Sequence, residues 1–378
     1  MAWTLLFSYP LMVAIQIISA RIGRTTGAGL AGNLRKFYPN WIVYWGVALL
    51  LLANTINLGA DIGAMSESVR LLLGGPQTAY VLVIGVVCAA MQLLLAYDSY
   101  VGLLKWLTLA LFAYVATLFF VKIDWTALSL GLIASRITFE SSALTAVVAV
   151  FGTTIRPHLF FWQSSQEVED TKAEPRRKPL KRAPDQAPDA YNRIELDTVV
   201  GMGFSNIIAL AIMVTAAATL NVAGVTTVQT AADAARALKP LAGSFAEALF
   251  ALGIVGTGLL AAPVLAGSAA YAIGEAFRWP TGLARAPKEA KAFYGTIAVA
   301  TLAGALMNLS PIDPIRALYW SAVLNGVVAV PIMAIMMLMA SNPRVMGRFT
   351  IELPLKVLGW LSTAVMALAA IGMIAFMV

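Results

Sequence analysis

One segment near the middle of the chain combines residues that interrupt a helix with residues that carry charge. It lies inside a long apolar run and reads Gly152-Thr153-Thr154-Ile155-Arg156-Pro157-His158. Proline lacks a backbone donor and clashes with the preceding turn, so we assign a helix break to Gly152 and Pro157, close to Arg156. Carbonyls freed by such a break can hold ions and substrates in a membrane. A proline kink without a ligand is the competing interpretation.

A second group of polar residues, Asn54, Asn57 and Asp61, has three- and four-residue spacing, which places them on one face of a helix. They could line a water-filled path and take part in coupling. Alternatively, they bond to neighbouring helices and serve only packing.

Two further positions are candidates. His158 could carry protons, because histidine titrates near neutral pH, or it could be a hydrogen-bonded packing residue. Asn325 and Gly326, followed by Pro331, indicate a second irregular helix.

The motifs typical of enzymes are absent from the sequence. It contains no phosphate-binding Walker loop, dinucleotide fingerprint, zinc motif or catalytic triad. Its loops are also too short for the soluble domain of an ATP-driven pump. The sequence therefore predicts neither an enzyme nor a protein with a bound cofactor.

The composition determines what must position these residues. Of 378 residues, 60% are apolar and only 12% are charged, whereas soluble domains carry about 25% charged residues. The apolar runs have the roughly 20-residue length of helices that cross a bilayer. They are continuous rather than alternating, so an all-α integral membrane protein is predicted and a β-barrel is not.

We predict ten transmembrane helices. Their approximate bounds are 2–20, 41–58 (continuing towards 73), 79–97, 101–121, 141–165, 198–220, 243–276, 292–309, 315–340 and 358–378.

The basic residues give this arrangement an orientation. Most lie in alternate loops, above all in a charged segment at 167–195, and the positive-inside rule places those loops in the cytoplasm. Both ends of the chain are then expected outside. Basic residues spread over short loops also argue against a nucleic-acid partner. We expect a multi-pass protein of the cell membrane, in a bacterium the inner membrane. The oligomeric state is left open.

At the predicted break the sequence resembles the NRAMP (natural resistance-associated macrophage protein) family, particularly a divergent bacterial branch of divalent-metal transporters. The likeness covers essentially the whole chain. It is carried by four stretches, at residues 152–158, 159–169, 54–65 and 259–271.

The resemblance implies a LeuT-type architecture of two five-helix inverted repeats. Counting spans against it leaves residues 1–136 as a first repeat without its first helix, 137–340 as the second repeat and 341–378 as an extra C-terminal helix. We therefore expect the chain to start at the family's second helix, which would remove an aspartate that binds the metal and could impair transport.

The resemblance also suggests site residues. Thr153 would offer a backbone carbonyl to the metal, and Arg156 stands where the family has a metal-binding methionine. The family's acidic pair corresponds to Asn57 and to a position beside Asp61, and a family glutamine to Asn325.

Three hypotheses follow for function. The first is secondary transport of divalent cations such as Mg²⁺ or Mn²⁺, with the ion as substrate and no cofactor. Hard ions are favoured because Arg156 replaces the family's methionine, whose sulfur is a soft ligand. The second is transport of an anionic or zwitterionic solute bound by Arg156. The third is a membrane remnant that does not transport.

Overall fold

The computed structural model describes residues 2–94, 141–218, 246–310 and 313–377, with four isolated positions between 115 and 126, and these residues form helices joined by turns and loops. The α-helices there are α1 Trp3–Thr26, α2 Leu30–Phe37, α3 Asn40–Leu73, α4 Gln77–Leu94, α5 Ser141–Thr154, α6 Pro157–Ala173, α7 Ala187–Ala216, α8 Ala246–Phe277, α9 Lys291–Met307, α10 Pro314–Ala340, α11 Pro343–Met346 and α12 Leu353–Met377. A short 3₁₀ helix, Pro184–Gln186, precedes α7.

The apolar runs predicted from the sequence form these helices. Among the described residues, eight stretches are long and apolar enough to cross a membrane, and Lys291–Met307 is a shorter apolar helix. They coincide with nine of the ten predicted spans; the remaining one, 101–121, lies outside the described residues except for two isolated positions. The outer faces carry exposed apolar side chains, including Leu52, Val83, Val86, Leu368 and Ile371. Such a surface suits hydrocarbon, because lipid rather than water then covers the apolar groups.

Small residues allow the helices to approach closely. A Cβ atom on Gly59 of α3 would lie 2.8 Å from the carbonyl oxygen of Gly304 on α9, so the two backbones nearly touch there. Asn308 supports the same contact, since its Nδ2 donates to the carbonyl oxygen of Gly59 at 2.8 Å. Close approach through small residues is the usual way in which membrane helices pack.

Two predictions about irregular segments need correction. The charged segment at 167–195 is mostly helical, because α6 continues to Ala173 and α7 begins at Ala187. One of its charged residues is buried in the protein: Glu167 is 3% exposed and pairs with Arg193. Likewise, α10 is one helix through Pro331 rather than a broken one. A single proline removes only one donor, and surrounding helices can accommodate the kink.

Candidate functional site

The predicted break is present, and it lies at Ile155 and Arg156. The backbone of Arg156 is extended, with φ −97° and ψ 131°, and Pro157 occupies the first turn of α6. Proline suits that position, since its missing donor is not needed there. The amide of Ile155 donates to the carbonyl of Phe151 at 2.7 Å, which completes the last turn of α5.

Arg156 is bonded to a carbonyl at this break. Its Nε donates to the carbonyl oxygen of Thr153 at 3.0 Å. The Thr153 hydroxyl donates to Val150 at 2.7 Å and so is not directed at a ligand. Thr153 itself is exposed and Arg156 is half-buried. The residue whose carbonyl was predicted as a ligand is therefore exposed, but that carbonyl already accepts a hydrogen bond from Arg156.

Asp61 supplies the negative charge of the site. Its side chain is half-buried, and it forms no salt bridge with Arg156. The two groups are nevertheless close enough for their opposite charges to attract each other.

Asn57 and Asn325 are brought together although 268 residues separate them. Each donates from Nδ2 to the Oδ1 of the other at 3.0 Å, and both side chains are at most 5% exposed. The Nδ2 of Asn57 also donates to the carbonyl oxygen of Ala53 at 2.8 Å. This amide pair joins α3 to α10, with Asp61 one turn further along α3.

Asn54 points elsewhere. Its Nδ2 donates to the carbonyl oxygen of Leu265 and to the hydroxyl of Ser268, both at 2.8 Å and both on α8. Of the three polar residues predicted on one face of α3, Asn54 therefore serves the contact with α8, and Asn57 and Asp61 remain near the break.

His158 lies in the first turn of α6 and is 3% exposed. Its Nδ1 has no hydrogen-bond partner among the described residues. The structure therefore places it beside Arg156 but gives it no partner that would relay a proton, and its role stays a prediction.

Gly152 has a role different from the one predicted. It lies within α5, three residues before the break, so it does not unwind the helix. A Cβ atom there would lie 1.9 Å from the carbonyl oxygen of Ala322 and 2.7 Å from the amide nitrogen of Gly326. The residue is a glycine because the backbones of α5 and α10 meet at this point.

A cavity of about 620 Å³ lies beside the second half of α6. Charged side chains line it, among them Glu169, Asp170, Lys172, Arg285 and Glu289. Trp162 lies one turn before the cavity-lining Gln166, on the side towards the break, and packs edge-on against Tyr271 with ring centroids 6.1 Å apart.

Polar groups inside the protein hold α6 in place, and their roles could not be recognised from the sequence. Glu275 accepts hydrogen bonds from the amide of Gly32 at 2.9 Å and from the Ser165 hydroxyl at 3.3 Å, and so links α8, α2 and α6. Arg24, 3% exposed, donates to Thr171 and to the carbonyl of Lys178. In the sequence each of these residues is only a charged residue close to the end of an apolar run. Solvated residues at a membrane boundary show the same pattern, so it does not identify buried partners.

Comparison with known proteins finds one matching family model and a curated relative that covers most of the chain. The family model described as natural resistance-associated macrophage protein-like matches residues 1–376. A curated relative, the divalent metal cation transporter MntH of Klebsiella pneumoniae (strain 342), is 27% identical over 374 residues, which are 96% of this chain and 83% of the relative.

Solved structures share the fold. A manganese transporter of Eremococcus coleocola, crystallised with an aromatic bis-isothiourea substituted compound, superimposes with a TM-score of 0.74 at 17% identity, covering 99% of this chain and 79% of that one. Mhp1, a nucleobase-cation-symport-1 family transporter, superimposes with a TM-score of 0.58 at 14% identity, covering 99% and 83%. The predicted LeuT-type fold class is confirmed.

Proposed function

The chain belongs to the natural resistance-associated macrophage protein-like family, and from that premise we propose that it carries divalent metal cations across a membrane by secondary transport. It is a multi-pass membrane protein and not an enzyme, and the metal is its substrate. We assign it to the cell membrane, as expected for a relative of a bacterial transporter.

The observation that carries the proposal is the helix break at Ile155 and Arg156. Backbone groups without helical partners are tolerated at membrane depth only where they line a cavity or are satisfied by other groups, and transporters use such breaks to bind ions. Here the break leaves Thr153 exposed, and the carbonyl of Thr153 is held by Arg156 rather than by an interior helical partner.

The donor atoms near the break are oxygens. They belong to the Thr153 carbonyl, the Asp61 carboxylate and the side chains of the Asn57–Asn325 pair. Among the described residues no group of three His, Cys, Asp or Glu could hold a metal ion, so carbonyl and amide oxygens must complete the site. Oxygen ligands favour hard ions, hence Mg²⁺ and Mn²⁺ rather than softer metals.

In this proposal the guanidinium of Arg156 is the cation that occupies the site when no metal is bound. While the site is empty, its guanidinium satisfies the Thr153 carbonyl and balances the charge of Asp61. A divalent ion that enters must displace it, because a +1 and a +2 charge about 4 Å apart repel by roughly 8 kcal/mol at an effective dielectric constant of 20. Arg156 then limits affinity and favours release.

The repeat boundaries are part of the same proposal. We assign residues 1–136 to the first repeat, 137–340 to the second and 341–378 to a further helix. The likeness to Mhp1 supports a repeat architecture but leaves these limits as a proposal. Family membership does not favour the anionic or zwitterionic solute that Arg156 could otherwise bind.

Uptake into proteoliposomes tests the function. We expect uptake of Mg²⁺ and Mn²⁺ to exceed uptake of Fe²⁺, measured with and without a pH gradient to reveal proton coupling. Asp61→Asn should abolish most of the uptake, whereas Asp189→Asn, an exposed carboxylate on α7, should not change it. No metal uptake by the wild-type protein would contradict the proposal.

The role of Arg156 is tested by charge reversal. Arg156→Glu should strengthen Mn²⁺ binding, measured calorimetrically in detergent, because it replaces a repelling charge with an oxygen ligand. Weaker Mn²⁺ binding by this variant, with its fold intact, would reject an internal cation at the site. Binding of a carboxylate solute that is lost in the variant would instead support the anion hypothesis.

A further inference from the structure

One polar side chain inside α1 has no partner. Gln16 is 1% exposed, and neither its Oε1 nor its Nε2 forms a hydrogen bond within the part of the chain that the structure describes. A glutamine amide offers two donors and an acceptor with two lone pairs. Nearly all buried polar groups are bonded to the protein or to ordered water, because an unpaired group loses its hydration without compensation. The amide of Gln16 therefore needs a partner from outside the described chain.

The contacts of α1 show which way Gln16 faces. The hydroxyl of Ser19 donates to the carbonyl oxygen of Phe160 on α6. One turn further, a Cβ atom on Gly23 would lie 2.1 Å from the carbonyl oxygen of Ser164 on the same helix. Gln16, Ser19 and Gly23 have three- and four-residue spacing, so they share one face of α1. That face packs on α6, and the two helices run in the same direction.

Gln16 consequently lies opposite the beginning of α6. Ser19 is level with Phe160 and Gly23 with Ser164, which is the same offset along both helices. One turn earlier, that offset places Gln16 level with Pro157, the first residue of α6. Helical side chains lean towards the N-terminus of their own helix. The amide of Gln16 is thus directed at the break rather than along α6.

The break leaves backbone groups open at this level. The first amides of a helix and the last carbonyls of the preceding one have no partner within their helices. The side chain of Arg156 does not cap α6, since its Nε is bonded to the carbonyl of Thr153. Broken membrane helices are tolerated where neighbouring side chains or ordered waters satisfy the freed groups. An uncapped helix start and an unpartnered amide therefore face each other.

We propose that ordered water is bound between Gln16 and the first turn of α6. A buried water needs two to four polar partners, and here Gln16 supplies both a donor and an acceptor while the open amides of α6 supply further donors. Water suits this set because it donates to Oε1 and accepts from Nε2 and from the backbone.

An anion is a poorer occupant of the same place. The N-terminus of α6 attracts negative charge, and Nε2 of Gln16 could donate to it. An anion has no proton to give to Oε1, however, so it would leave that oxygen unpaired and would be repelled by it. A cation would instead meet the positive end of the α6 dipole. The two unpartnered atoms of Gln16 together select water.

The bound water makes Gln16 a positioning residue for the break. It satisfies groups that the interruption of the helix leaves open, and it ties the start of α6 to α1 beside the Ser19 bond. This role does not depend on which ion the protein carries, so it can be tested on the purified full chain without transport.

Thermal unfolding of Gln16→Met distinguishes a hydrated amide from a dry one. Methionine has nearly the same length but no hydrogen-bonding groups of similar strength. If the amide is hydrated, its bonds are lost and Tm should fall by about 2 °C. A dry, unpaired amide predicts the opposite, because removing it relieves a penalty, so a higher Tm in Gln16→Met would overturn the proposal.

The control for this measurement is Thr363→Val on α12. Thr363 is 5% exposed, and its hydroxyl donates to the carbonyl of Gly359 in its own helix at 2.9 Å. Losing a bond within one helix should leave Tm nearly unchanged. A fall as large as that of Gln16→Met would show that any buried polar deletion has this effect, and would overturn a specific role for Gln16.

Radiolytic labelling of the wild-type protein detects the water directly. Hydroxyl radicals formed from bound water oxidise adjacent methionine to the sulfoxide, which mass spectrometry measures. Met12 lies one turn before Gln16 on the same face and is 4% exposed, whereas Met337 is 0% exposed and its sulfur packs against Gly359. We expect Met12 to be oxidised several-fold faster than Met337, and Gln16→Leu to remove most of the difference. Equally slow oxidation of both in the wild type would mean a dry site and reject the proposal.

Replacement of the salt tests the anion. The Tm of the wild-type protein is compared in sodium chloride and in sodium gluconate of equal ionic strength, since gluconate is too large for a buried site. We expect equal values in the two salts. A higher Tm in chloride that disappears in Gln16→Met would identify a small anion as the ligand and reject water.

Discussion

The two halves of the interrupted helix are held by different forces. The first half, α5, packs through shape: Gly152 lies against the α10 backbone at Gly326, and the nearby contacts are apolar, among Val148, Ala322 and Val323. The second half, α6, is held by specific polar bonds. Its partners come from α1, α2, α7 and α8 and include Ser19, Arg24, Leu30, Arg193 and Glu275.

This difference indicates which parts of the molecule move together. We expect α5 to move with α10, because backbones in van der Waals contact leave no room to slide. We expect α6 to move with α1, α2 and α8, because their hydrogen bonds are buried and costly to break. Arg156, in extended backbone between the halves, is then the natural joint, and the ion site that we propose lies at that joint.

The largest expected effect comes from adding one methyl group to the α5 contact. Gly152→Ala would place a Cβ 1.9 Å from the carbonyl oxygen of Ala322, where neither backbone can yield. We expect a loss of about 3 kcal/mol of stability, measured as a fall in Tm of the purified protein. Gly201→Ala on α7 is the control: its Cβ would meet nothing, so helix propensity should raise stability slightly. Equal Tm values for the two variants would contradict shape-based packing of α5.

An intermediate effect is expected at Glu275, which holds α6 and α2 through its carboxylate. Glu275→Ala leaves the Gly32 amide and the Ser165 hydroxyl without their acceptor, at a cost of about 2 kcal/mol. Glu275→Gln keeps one acceptor oxygen and should therefore lower the free energy of unfolding by less than Glu275→Ala does. Thermal unfolding compares the two, with the exposed Glu352→Ala as control. Equal costs for the Ala and Gln variants would show that the hydrogen bonds do not hold this half.

The smallest expected effect is at Ser164 on α6, whose Oγ accepts from the Leu30 amide at 3.0 Å. Ser164→Ala leaves that amide unsatisfied and should cost about 1 kcal/mol. The amide of Leu30 should also exchange hydrogen faster, which mass spectrometry of peptides from α2 detects. Ser66 is equally buried but bonds only within its own helix, so Ser66→Ala should be nearly neutral. Unchanged exchange in Ser164→Ala would remove this link between α6 and α2.

Much of the fold could be predicted because the signals are local. A run of about 20 apolar residues forms a spanning helix whatever its neighbours are, since its backbone can be satisfied only internally. The break at Pro157 is equally local, because proline removes a donor from its own helix. Nine predicted spans and the break are therefore found among the described residues.

The partners of polar residues could not be predicted in the same way. Asn54, Asn57 and Asp61 share a helix face by spacing alone, yet Asn54 bonds to α8 and Asn57 to α10. The length of α6 was also misjudged, because the charges of Glu167 and its neighbours suggested a solvated loop. In the fold Arg193 compensates Glu167, which allows the charge to be buried.

By itself, then, the sequence determined that this is a helical membrane protein, where its helices lie and where one of them must break, because these properties depend on the backbone and on the apolar length of each segment. Only the tertiary structure decided that Gly152 is a contact point, that Asn57 meets Asn325, and that Arg193 pairs with Glu167. Those facts depend on distances between segments remote in the chain, and no local residue pattern encodes such distances.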